Sequence, residues 1–154
     1  MAKRYKDIIA DTSANLAKLR KDSPEVMQGF SSLAQAATRP GVLDLKTKEL
    51  IAMALAVAAR CDPCLGYHAR ALVGAGATRA EVEEMLGMCV YMGGGPSLMY
   101  AAAALAAYEE FGGQKAEQAD RAGKGESAAS GDTAGKNDAA GQGQQRGTGT
   151  RASS

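Results

Sequence analysis

The 154-residue chain has no tryptophan, two phenylalanines, a single histidine and three cysteines. An odd and small number of cysteines argues against a closed disulfide framework, so a close pair is better read as catalytic or metal-binding. Charge of one sign is also missing. Eighteen Lys and Arg face 17 Asp and Glu, for a formal net charge of +1, which gives no electrostatic reason to expect nucleic acid or an anionic membrane as partner. The longest apolar run, Leu50 to Ala59, is too short to span a bilayer. MAKRYKDIIADTSANL meets charge again before any apolar core forms, so no secretory pattern is expected and a reducing, cytoplasmic setting is. No stretch alternates β-branched and polar residues with period two, which predicts an all-α domain.

What is present is helical spacing. Tyr5, Ile8, Ile9, Leu16 and Leu19 mark a first helix over 3–21. Ser23-Pro24 opens a second, with Val26, Met27, Phe30 and Leu33 as its expected buried stripe and Thr38-Arg39-Pro40-Gly41 as its end. Asp44 is placed to cap a third helix running to about Arg60. This helix is apolar on every side from Leu50 to Ala59, so it is expected to be central. Asp62 is placed to cap a fourth, starting at Pro63 and stopping at Gly74-Ala75-Gly76. Thr78 and Glu81 form a capping box for a fifth, with Val82, Met85, Leu86, Cys89 and Val90 inward. Met92-Gly93-Gly94-Gly95-Pro96 predicts a break and a sixth helix carrying Leu98, Met99, Leu105, Tyr108 and Phe111. Cys89 reads as ordinary core. The three glycines read as a tight turn or close subunit approach, since no phosphate-loop lysine follows, and no bound cofactor is expected. Residues 112–154 hold 10 of the 19 glycines and no Val, Ile, Leu, Met, Phe, Tyr or Trp. One helical domain over 1–111 and a disordered, solvated tail over 112–154 follow. A modest, alanine-rich core makes burial of helix faces between subunits a physical expectation.

The chemistry concentrates between Asp44 and Gly76. Cys61 and Cys64 lie around the first turn of the fourth helix, where unpaired N–H groups and the helix dipole favour a thiolate. Their two-residue spacer lets one sulfur attack while the other closes a disulfide. Asp62 opposes this by adding negative charge, and dipole reasoning alone favours Cys61 as the more acidic thiol. His68 follows Cys64 by one helical turn on the same face, where its imidazole can accept the thiol proton. Glu49 precedes Cys61 by twelve residues, about 18 Å along a straight helix. It meets His68 only if helices three and four fold back as an antiparallel pair or a neighbouring element joins them; otherwise it is a solvated first-turn acid. Two thiolates, the imidazole and Glu49 also make a conceivable zinc set, disfavoured because three ligands within eight residues lack a distant second half-site.

Glu49 with C-x-x-C-x3-H, the following G-A-G-A-T-R-A-E-V-E-E and the M-G-G-G-P segment resemble the carboxymuconolactone decarboxylase family, and within it the alkyl-hydroperoxidase D branch, over roughly residues 22–111. The resemblance implies an all-helical homo-oligomer, a trimer or hexamer, with thiol-dependent peroxidase or disulfide-reductase activity. It implies Cys64 as attacking thiol, Cys61 as the partner closing the disulfide, His68 as proton relay and Glu49 as the base behind it. A hydroperoxide is the implied substrate and a lipoyl-type dithiol on a partner protein the implied reductant. Asp62-Pro63 departs from the small, aromatic or histidine spacers of that branch, and an auxiliary histidine is absent there. A lactone decarboxylase working through an acid and a histidine is the enzymatic alternative. A non-catalytic oligomeric scaffold with a redox-sensing disulfide is the other.

Overall fold

In the computed structural model, residues 3–113 are described. The expected disordered tail therefore lies outside the described residues, apart from Gly112 and Gly113. The described chain forms five helices and, among those residues, no strand: α1 Tyr5–Asp22, α2 Pro24–Thr38, α3 Leu45–Ala59, α4 Asp62–Gly74 and α5 Arg79–Glu110.

Local signals set most of the boundaries. Asp44 caps α3 by accepting the Thr47 N–H at 2.7 Å, and these bonds from Thr47 hold its carboxyl below the usual carboxylate range. Thr78 and Glu81 close the capping box of α5, each side chain taking the other's backbone N–H. α1 has no side-chain cap of its own. The Glu110 carboxylate, from the far end of the chain, accepts the Tyr5 and Lys6 N–H groups at 2.8 and 3.0 Å instead.

The core lies where α3, α4 and α5 meet, with Met53, Val57, Leu65, Leu72, Val82 and Tyr108 fully buried. The Tyr108 hydroxyl donates to the Ala77 carbonyl, which ties the end of α5 to the turn before it. α1 lies across α4, where Gly66 permits the approach: a Cβ there would stand 2.5 Å from Ile9 Cγ2. The Tyr67 hydroxyl donates to the Ile9 carbonyl at 3.2 Å and secures the same contact.

Two expectations are corrected and one is refined. The expected break within Met92–Pro96 is present at Gly94, whose φ 63° and ψ −153° are not helical, so α5 consists of two helical segments that meet at a kink. That conformation is essentially open to glycine alone, and Pro96 follows it, with no separate loop between the two segments. In α2 only Met27 of the expected stripe is buried; Val26, Phe30 and Leu33 are exposed because α2 packs mainly on α1 and none of the described residues covers its outer side. α3 is not enclosed either. Glu49, Met53, Ala56 and Val57 face inward, while Ile51 and Leu55 are exposed. Leu98 and Met99 on α5 are exposed as well. Apolar periodicity reports which face avoids water, not which chain covers it. None of the described helices is long and apolar enough to cross a membrane.

Candidate active site

α3 and α4 fold back on one another through a two-residue reversal. Arg60 caps α3 in the left-handed region, at φ 55° and ψ 46°, and its N–H returns to the Ala56 and Val57 carbonyls. Cys61 then turns extended and becomes the N-cap of α4, its sulfur accepting the Cys64 N–H at 3.4 Å. Asp62, the expected cap, is already the first helical residue and reaches away to Lys3, with Nζ to Oδ2 at 2.6 Å. The cap therefore falls to the cysteine, because Cys61 is the last residue with non-helical dihedrals.

The cysteine pair is joined as a disulfide, Cys61–Cys64, with 5.2 Å between Cα atoms. The reversal also delivers Glu49 to His68. Nδ1 of His68 lies 2.7 Å from Glu49 Oε2, with 10% of the Glu49 side chain and 31% of the His68 side chain exposed. An ionised carboxylate only accepts, so Nδ1 carries the proton and Nε2 is the ring nitrogen left to exchange one. Of the two expected geometries for Glu49, the antiparallel pair is the one adopted.

Cys64 and His68 line one cavity of about 270 Å³, walled by Ala52, Leu55, Ala56 and Ala59 of α3. The alanines leave this space, since larger side chains at a one-turn spacing would fill it. Cys61 is not among its walls. The i, i+4 register of Cys64 and His68 therefore faces a small apolar cavity, with the imidazole held from behind by a nearly buried acid. Such a cavity can admit a small molecule to one sulfur beside a ring nitrogen able to take or give a proton. Among the described residues no three His, Cys, Asp or Glu side chains stand where they could hold one metal ion together.

Cys89 lies elsewhere, half-buried between α5 and α3, with its sulfur 3.7 Å from Met85 Sδ and its thiol pushed up by burial. Lys3 carried no signal in the sequence. No local pattern links it to Asp62, 59 residues away.

The sequence model of the carboxymuconolactone decarboxylase family matches residues 24–107. The chain belongs to the carboxymuconolactone decarboxylase family. A crystal structure of an apo family member from Legionella pneumophila is 63% identical, with a TM-score of 0.70, and the match covers 71% of this chain and 98% of that one. A second family structure, from Thermotoga maritima, for which involvement in an antioxidative response has been suggested, is 28% identical. Its TM-score is 0.60, covering 77% of this chain and 95% of its own. An uncharacterized protein from Cupriavidus necator is 37% identical over 109 residues, covering 71% of this chain and 96% of its own. The family match includes Glu49, both site cysteines and His68, and stops short of Lys3.

Proposed function

We propose that the protein is a dithiol-dependent peroxidase of the alkyl-hydroperoxidase D-like branch, acting in a reducing compartment such as the cytoplasm. One observation carries the reading. Cys64, already paired with Cys61, shares its cavity with a histidine anchored through Nδ1 on a nearly buried glutamate. The suggested antioxidative role of the Thermotoga maritima relative supports it.

In the reduced protein, His68 Nε2 takes the Cys64 thiol proton and Glu49 stabilises the resulting imidazolium. The thiolate attacks the outer oxygen of a hydroperoxide, the O–O bond breaks, and the alkoxide leaves with the proton from His68 as an alcohol. Cys64 is then a sulfenic acid. The Cys61 thiol displaces its hydroxyl, which departs as water, and the disulfide closes. A dithiol, such as a lipoyl group on a partner protein, returns two electrons and two protons by exchange. The balance is one hydroperoxide and one dithiol in, one alcohol, one water and one oxidised dithiol out.

The exposed apolar residues on α3 and α5, among them Ile51, Leu55, Met88 and Met92, border a groove of about 420 Å³ and support assembly into a homo-oligomer, for which the family resemblance implies a trimer or hexamer.

The test is a pair of variants, pre-reduced, freed of dithiol and then given hydroperoxide. Cys64→Ser is expected to consume no hydroperoxide. Cys61→Ser is expected to consume one equivalent and stop, leaving a sulfenic acid on Cys64 that a carbon-acid nucleophile traps. The reverse pattern would make Cys61 the attacking thiol. Lactone turnover surviving in Cys64→Ser would move the assignment to the decarboxylase chemistry that Glu49 and His68 could run without sulfur.

A further inference from the structure

Asp62 sits between the two cysteines, at the first position of α4. Its Oδ2 is 2.6 Å from Lys3 Nζ. Its Oδ1 is buried and has no hydrogen-bond partner, the one such side-chain atom found among the described residues. Lys3 comes from the segment ahead of α1, and its ammonium also stands 5.7 Å from the centre of the Tyr100 ring. The pair is partly exposed, 53% for Lys3 and 28% for Asp62, so it contributes little to stability by itself.

Its position gives it another consequence. The start of α4 offers a partial positive field to whichever thiolate forms there. A carboxylate beside Cys61 opposes that field and disfavours the thiolate. Since a disulfide is more oxidising when its reduced form is stabilised, an unbalanced Asp62 would make Cys61–Cys64 harder to reduce. Lys3 places a positive charge on the same carboxylate and offsets it.

We infer that the Lys3–Asp62 ion pair sets the reduction potential of the Cys61–Cys64 disulfide. Lys3 is a positioning residue that acts through Asp62 and keeps the disulfide within reach of its reductant. The inference rests on the proposed dithiol cycle for its use, but the potential is measurable whether or not the protein turns over hydroperoxide.

The experiment equilibrates the full-length chain at pH 7 with mixtures of reduced and oxidised glutathione and counts free thiols by mass labelling. In this exchange two glutathione thiols give two electrons and two protons to the disulfide and leave as oxidised glutathione. Lys3→Met is expected to lower the equilibrium constant for reduction about fivefold, the upper end of what one charge near an exposed helix N-terminus contributes. Asp62→Asn is expected to raise it about fivefold. Each change corresponds to about 20 mV at ~30 mV per tenfold. Lys3→Arg, which keeps the charge, should match the unsubstituted chain. In a chain already carrying Asp62→Asn, the further change Lys3→Met should shift the constant less than about twofold, because its target charge is gone.

No shift for Lys3→Met with Asp62 present overturns the inference, and so does an equal shift in both backgrounds. Shifted potentials in a chain inert toward hydroperoxides would sink the peroxidase reading alone. Unshifted potentials in an active peroxidase would sink this inference alone.

Discussion

Nδ1 of His68 lies 2.7 Å from Oε2 of Glu49, across the seam between α3 and α4. The bond fixes the ring's tautomer and leaves Nε2 free to exchange a proton. Glu49→Gln keeps the size and a hydrogen bond but removes the charge that stabilises the imidazolium. Hydroperoxide turnover should fall about 10²-fold, the usual scale for general acid–base help, with helical circular dichroism unchanged. Turnover equal to the unsubstituted protein would remove Glu49 from the relay.

Gly94 holds α5 bent at φ 63° and ψ −153°. Gly94→Ala meets no neighbouring atoms but cannot occupy this backbone region without strain. The variant should lose about 1–3 kcal/mol in urea unfolding. An unchanged midpoint would mean that the bend relaxes at no cost.

Acid should loosen the start of α5. Glu81 is held below the ordinary glutamate range by the Lys46 ammonium at 2.6 Å and by the Thr78 N–H. The unfolded chain therefore binds this proton more readily than the folded one. The associated stability is complete above the ordinary glutamate value of about 4.3 and is lost as pH falls through the lower folded value. Glu110 acts in the same direction: burial pushes its carboxyl up, but the Lys6 and Tyr5 N–H groups outweigh that and leave it lowered. Urea midpoints for Glu81→Gln should be lower at pH 7 and decline less below about pH 4.3 than those of the unsubstituted chain. Parallel declines would show that Glu81 is not part of the acid response.

Features that depend on neighbours three or four residues apart were legible in the sequence. The Asp44 cap, the Thr78–Glu81 box and the Cys64–His68 register all belong to that class. The approach of Glu49 to His68 was implied by the family resemblance but not by spacing, because it needs the reversal at Arg60, a non-glycine in a left-handed turn that carries no turn signal. Lys3 and Asp62 meet only because α1 lies across α4 and brings the chain's start to the head of that helix. Phe30 and Leu33 misled for a different reason. Their spacing correctly marked an apolar face of α2, but no described residue covers that face.

The most direct test of the account counts free thiols before and after one equivalent of an alkyl hydroperoxide. The fully reduced chain should present three, since the sequence holds three cysteines. After hydroperoxide one should remain, mapped to Cys89, whose burial keeps its thiol protonated and slow to react. A dithiol should restore the other two. If all three thiols survive, or if the lost thiol is Cys89, then the paired sulfurs beside His68 are not the site of hydroperoxide reduction.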